Sequence, residues 1–410
     1  MGSLRARLDV KRKKQPDWTA FLRLSGKRDS NSRPQPWQGC ALPTELFPQL
    51  RVQIYGKNCY LQNFWLFFFK KVRFTPQTAI FVGMKHTVEL FTALSERLAH
   101  LPESIVKEAI AENPWYTPEA IHTAVEAIRR EMLDPELLTR WLSAYRVPVA
   151  NPKRVLVIMA GNLPLVGFFD LLCVVEAGHH CIVKSSSKDR VLIAHIIKEL
   201  CYINPETPIS YYDGCALPDA VIATGSDNTN RYFRARYGSI PTLLRGSRQS
   251  VAVLTGEESE TELRGLEEDI WLHNGLGCRN VSMLFLKEGM AFPAIRPTAL
   301  HPKYRNNYLQ NKALLEMTGE PFIDLEGAVA MESDRFPARL STLTYRYYRT
   351  TEEVAAWLTA HDSELQCVVA REKLHPRAVP FGRAQHPTLT DYPDAVDVVA
   401  FLEQIAYICD

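Results

Sequence analysis

The chain has 410 residues, 46% of them hydrophobic and 23% charged, which is enough for more than one folded core and too apolar for a disordered protein. The net charge is +2; of 48 Lys/Arg and 46 Asp/Glu, residues 1–83 hold 15 and 4, so the rest is mildly acidic and gives no reason to expect a nucleic-acid partner. Nine scattered cysteines with no CxxC pair argue against a disulfide framework and read as reduced thiols of a cytoplasmic protein.

Residues 1–50 hold "KRKKQ" and "GKRDSNSRPQPWQG" and show no periodicity. Such a composition buries little surface, so 1–83 are expected to be a basic extension, disordered or foreign to the native chain. "FWLFFF", 64–69, stops at Lys70-Lys71, far short of the roughly 20 residues of a membrane span. No secretory signal is evident either, so the protein is expected to be soluble and cytoplasmic, with no membrane span.

Met84 is read as a plausible native start. It opens a helix with Val88, Phe91, Leu94, Leu98 and Leu101 on one stripe. "TPEAIHTAVEAIRREML" places Thr117 as N-cap, Pro118 at N1, and Ile121, Val125, Ile128 and Met132 on one face; Asp134-Pro135 repeat the device. Residues 84–150 are therefore expected to be a helical preface.

From 151 the texture changes. "RVLVIMAG" (154–161), "CIVKSSS" (181–187) and "DAVIATGS" (219–226) read as strands buried on both faces. They alternate with helical stretches at 165–178, 190–200 and after 226. This βαβαβ order predicts an α/β fold with a Rossmann-type parallel sheet. "SVAVLTG" (250–256) and "SMLFLKEG" (282–289) are later strands around an acidic helix-like segment, 257–270. Further strand signal falls at 344–349 and 365–370.

Parallel sheets bind ligands at the carboxyl ends of their strands. Three such ends here carry Gly161-Asn162-Leu163-Pro164, Lys184-Ser185-Ser186-Ser187 and Thr224-Gly225-Ser226. A Gly-Ser at a helix start suits a phosphate, and a lysine suits a ribose or phosphate oxygen. There is no GxGxxG, and a lone Thr-Gly-Ser is more often a plain turn. His179-His180-Cys181 lacks zinc-ligand spacing, so no metal is expected. "HNGLGCRNVS", 273–282, sets Cys278 between glycines and beside Arg279, as a thiolate nucleophile needs; an inconsequential loop cysteine is the plainer alternative.

Together, "MAGNLPLVGFFDLLCVVEAGH", "KSSSKD", "ATGSDNTNRYF", "SVAVLTGEE", "GLGCRNVS" and "VPFGRAQHPTLTDYPDAVD" resemble the LuxC-like long-chain acyl-CoA reductases of the aldehyde dehydrogenase superfamily, over about 84–410. The resemblance implies an aldehyde-dehydrogenase-like fold: a nicotinamide-cofactor-binding domain at 151–250, a catalytic domain with the cysteine loop at 251–380, and a segment at 381–410 returning to the cofactor domain. Cys278 resembles the nucleophile and Asn162 the oxyanion-binding amide. Lys184 resembles the ribose contact, and Gly225 and Ser226 the pyrophosphate site.

Two departures from the family refine this. Ser187 stands where NAD-preferring relatives often carry glutamate, which favours NADPH, with Lys188 and Arg190 nearby. "SVAVLTG" lies where hydrolytic relatives have Glu-Leu-Gly-Gly, with Glu257 and Glu258 displaced. The implied activity is reduction of a fatty acyl-CoA or acyl-carrier thioester to aldehyde, with an acyl-protein synthetase as a possible partner and a homo-oligomeric assembly. His273 is a guessed proton donor; a buried histidine satisfied by backbone is the plainer reading. Rival functions are aldehyde oxidation to acid, a cysteine acyltransferase or thioesterase without redox activity, and a silent scaffold.

Overall fold

The computed structural model describes residues 76–297 and 299–407. The basic extension expected at 1–83 lies, up to residue 75, outside the described residues. The first helix, α1 (Pro76–Leu98), begins eight residues before Met84. It is followed by α2 (Glu103–Glu112), α3 (Pro118–Glu131) and α4 (Pro135–Leu142). The expected caps form: the Thr117 hydroxyl oxygen accepts from the Ala120 N–H at 3.1 Å, and the Asp134 carboxylate from Glu136 and Leu137. Ile121, Val125 and Ile128 face the core as their spacing requires.

The chain then forms β1 (Arg154–Ile158), α5 (Phe168–Glu176), β2 (His180–Lys184), α6 (Arg190–Ile203), β3 (Ile209–Tyr211), β4 (Ala220–Thr224), α7 (Asp227–Tyr237) and β5 (Thr242–Arg245). These strands make one parallel sheet in the order β3-β2-β1-β4-β5. Val155 and Val157 pack with α1, α5 and α6 on one face; Leu156 and Ile158 pack with Phe233 and Tyr237 on the other. Burial on both faces explains the unbroken apolar runs. The strand order reverses between β1 and β4, so the loops after them part there and leave a crevice.

Three residues, Gly246–Arg248, lead to a second sheet. Its elements are β6 (Gln249–Leu254), α8 (Glu260–Trp271), β7 (Val281–Lys287), α9 (Pro302–Thr318), β8 (Ile323–Asp324), β9 (Val329–Glu332), β10 (Thr342–Tyr348), α10 (Thr351–Ala360), β11 (Leu365–Val369) and β12 (Ala378–Val379). The order is β12-β11-β6-β7-β10-β9-β8, parallel except for β8 against β9. The last helix, α11 (Val398–Ile405), packs into the α5 side of the first sheet's core. Among the described residues no helix is long and apolar enough to cross a membrane.

Candidate active site

The cysteine loop leaves α8 through an unusual reversal. His273, Asn274 and Gly275 take φ values of 55°, 57° and 63° in succession. Left-handed backbone costs about 1–2 kcal/mol at each non-glycine residue, so something must hold it. Buried Asn280 does so. Its amide donates to the carbonyls of Leu272 (2.8 Å) and Ile270 (3.1 Å) at the end of the helix, and its Oδ1 accepts from the Gly277 N–H at 2.8 Å. The Cys278 carbonyl accepts from the Ser250 hydroxyl at 2.9 Å. Cys278, the residue between, is exposed.

Exposure does not give this thiol water on all sides. Surrounding protein desolvates the sulfur and raises its pKa; Arg279 and Arg245 pull it down, Asp394 pushes it up, and the net shift is upward. The positive neighbour is thus outweighed by burial. The Arg279 guanidinium is occupied with the carbonyls of Asp391 (2.9 Å) and Ala384 (3.4 Å).

Asn162 comes from the other sheet, in the loop after β1. Its amide donates to the Leu276 carbonyl at 2.8 Å, so it stands against the cysteine loop. Gly161 must be a glycine: a Cβ there would lie 2.6 Å from the Ser186 side chain, in the loop after β2. His273 is partly buried, and its Nδ1 has no hydrogen-bond partner among the described residues. Burial, with His386 adding to it, lowers its pKa to about 4, so the ring is neutral near pH 7 rather than a ready proton donor.

Thr224, Gly225 and Ser226 share a cavity of about 690 Å³ with Asn162, His273 and Cys278. Ser226 caps α7, its hydroxyl oxygen accepting from the Thr229 N–H at 3.4 Å. Lys184 and Ser187 are exposed and lie outside the cavity wall, Lys184 with its ammonium 5.7 Å from the Tyr212 ring centroid. Lys188 is exposed, whereas Arg190 is already ion-paired with Glu112. Gly225 and Ser226 thus stand at a helix N-terminus, where free amide groups suit an anion, on the wall of the cavity that Cys278 also lines.

The stretch between the sheets that reaches the cavity is Arg245–Gln249, not Leu254–Gly256. Glu258 turns away and accepts from Thr255 N (2.7 Å) and Gly256 N (3.0 Å). Among the described residues the carboxylates on the wall are Asp391 and Asp394, and both are engaged: Asp391 accepts from the Thr388 hydroxyl (2.7 Å), and Asp394 pairs with Arg248 (3.1 Å). Sequence reasoning also missed Arg245, whose Nη1 donates to both Asp170 oxygens at 2.8 and 2.7 Å in a buried pair. It missed Asp269 as well, which holds the N–H groups of Gly382 (2.7 Å) and Ala384 (2.9 Å) and has its pKa raised to about 7 by burial. Asn280 stood in the quoted "GCRN", but nothing local tells a loop-closing asparagine from a solvated one.

Residues 113–294 match the family model for acyl-CoA reductase (LuxC), a span that holds every candidate site residue. The resemblance drawn from the motifs therefore stands over that span. No curated protein matches the sequence. Among solved structures, the fold is similar to a betaine aldehyde dehydrogenase from Staphylococcus aureus (11% identity, 78% of this chain and 74% of that one, TM-score 0.52). It is also similar to an aldehyde dehydrogenase from Mycobacterium tuberculosis complexed with NAD+ (14%, 70% and 73%, 0.51) and to a protein described as an aldehyde dehydrogenase from Burkholderia cenocepacia (14%, 69% and 73%, 0.51). The fold is that of the aldehyde dehydrogenases.

Proposed function

We propose that this chain, matched to the acyl-CoA reductases over 113–294, uses NADPH to reduce a long-chain fatty acyl thioester to the aldehyde through an acyl-Cys278 intermediate. In this reading residues 151–250 carry the cofactor, 251–380 carry the nucleophile, and 381–410 return to the cofactor side. The observation that carries it is the meeting of Asn162, Cys278 and Thr224–Ser226 around one cavity whose wall carboxylates are both engaged.

The Cys278 thiolate attacks the thioester carbonyl. The second N–H of Asn162 and the Cys278 backbone amide receive the developing oxyanion, a contribution of about 3–4 kcal/mol per donor in related chemistry. The tetrahedral adduct collapses, the carrier C–S bond breaks, and the carrier thiolate leaves and takes one proton from solvent. A nicotinamide dinucleotide, when bound, would supply the hydride that adds to the acyl carbon. The resulting oxyanion, held by the same two donors, collapses as the C–S bond to Cys278 breaks, releasing the aldehyde and returning the thiolate. With both wall carboxylates among the described residues engaged, none of them is free to activate water, which favours reduction over release as acid.

The preference for NADPH rests on Ser187, which presents no negative charge to a 2′-phosphate, and on exposed Lys188. Either coenzyme A or a carrier protein is the acyl donor in this reading. The test is NADPH oxidation against acyl-CoAs of increasing length, with Cys278→Ser as control and mass spectrometry of the acylated peptide. Aldehyde formation, lost in the variant, is expected. Acid from aldehyde with NAD+ would favour the dehydrogenase, and acyl transfer indifferent to NADPH the acyltransferase.

A further inference from the structure

We infer that Asp189 is a positioning residue for the oxyanion loop: its carboxylate, on the neighbouring strand-to-helix connection, fixes the turn that carries Asn162. The inference rests on the reading of Asn162 given under Proposed function.

Asp189 occupies the N-cap position of α6, where an aspartate ordinarily accepts from its own helix's first-turn amides and stabilises it by about 1 kcal/mol. Here it makes no such bond. It turns into the protein, 2% exposed, and Oδ2 accepts from the Leu165 N–H at 2.9 Å. Leu165 lies three residues past Asn162 and is left-handed, with φ 57°. A leucine held there costs about 1–2 kcal/mol, and the Asp189 bond opposes its relaxation. Burial raises the Asp189 pKa to about 8, which also weighs against placing a carboxylate here for stability alone.

The loop is gripped at its other end as well. The Gly161 carbonyl accepts from the Asn113 amide at 3.3 Å and from the Tyr116 hydroxyl at 3.4 Å. The other Asp189 oxygen, Oδ1, has no hydrogen-bond partner among the described residues, so the carboxylate's one bond in the fold is to this turn. Asn162 thus sits between two anchors, one on each side along the chain. Because Asp189 ends the segment that supplies Lys184 and Ser187, the oxyanion turn and that connection are tied together.

Attack on a thioester needs the oxyanion amide in register, whereas alkylation of the same sulfur by iodoacetamide does not. The experiment therefore measures both reactions of Cys278 in full-length Asp189→Leu, Asp189→Asn, Asn162→Ala and the Asn162→Ala/Asp189→Leu pair. Asp189→Leu should lower acylation by acyl-CoA about 10- to 100-fold with alkylation unchanged. Asp189→Asn, which keeps an acceptor for Leu165, should restore most of it. Added to Asn162→Ala, Asp189→Leu should cost nothing more, since both act on one donor. Parental acylation in Asp189→Leu, a multiplied loss in the double variant, or a parallel fall in alkylation overturns the inference. Parental acylation in Asn162→Ala sinks the oxyanion reading itself, and the inference with it. If Asp189→Leu does not fold, Asp189→Ala, which removes the acceptor without adding bulk, decides by the same two readouts: a selective loss of acylation supports the inference and a parental rate overturns it.

Discussion

The Asn162 amide donates to the Leu276 carbonyl at 2.8 Å, across the gap between the two sheets and two positions before Cys278. In the proposed mechanism this leaves its second N–H for the oxyanion. Asn162→Asp inverts this: a carboxylate faces a carbonyl, and the oxyanion meets negative charge. We expect acylation of Cys278 to fall by about 10²- to 10³-fold or more, with the protein still folded because the site is exposed. Rapid-quench measurement of acyl-enzyme formation checks it, and a loss of under tenfold would remove Asn162 from the mechanism.

The thiol of Cys278 titrates above its ordinary range, and Asp394 is one cause. Asp394→Asn removes that negative charge, which favours the thiolate, while Arg248, its partner at 3.1 Å, keeps its bonds to the carbonyls of Asp362 and Leu365. Asparagine also tolerates the φ of 58° at this position. The midpoint of the pH profile for iodoacetamide alkylation should therefore move down relative to the parent. An unchanged or higher midpoint would mean that Asp394 does not act on the sulfur.

The parts of this site that were legible in the sequence are those whose signal is local. β1, β2 and β4 announce themselves as apolar runs, and Cys278 and Asn162 sit in distinctive glycine-bracketed loops. β3 is three residues beside a proline, none of them buried, too short to show a period. β5, "TLLR", ends in an arginine that reads as a surface residue until Asp170, 75 positions earlier, is seen to neutralise it. α9 hides for another reason: its buried positions, Tyr304, Tyr308, Asn311 and Leu315, keep helical spacing but include polar types. Asp189 was masked by its N-cap position, where a local role explains it fully. Relations that need two distant segments leave no trace in either one.

Glu176 offers a stability test away from the site. It is fully buried on α5, and neither carboxylate oxygen has a hydrogen-bond partner among the described residues. Burial raises its pKa to about 8. Between its ordinary value near 4.5 and about 8 the folded state keeps a proton that the unfolded state has lost, so stability falls as pH rises through that window and levels off above it. At about 1.4 kcal/mol per pH unit the loss is a few kcal/mol. Glu176→Met should unfold at a higher temperature than the parent at pH 8 and gain much less at pH 5. Equal gains at both values would show that the carboxyl group is not what titrates.

Asp170 and Arg245 pose the opposite case, a buried charge pair in which each member depends on the other. The Nη1 group of Arg245 serves both carboxylate oxygens, while Nε and Nη2 have no partner among the described residues. Removing one member leaves an uncompensated charge, which costs about 3–5 kcal/mol; replacing both with apolar residues of similar volume costs far less. Asp170→Leu and Arg245→Met should each lower the urea midpoint strongly, and the double variant should recover most of the loss. If the double variant is as unstable as the sum of the singles, the two side chains act independently and the pair is not the reason Asp170 tolerates its burial. Recovery of stability without recovery of Cys278 acylation would further show that the charge of Arg245, which favours the thiolate, serves the reaction as well as the fold.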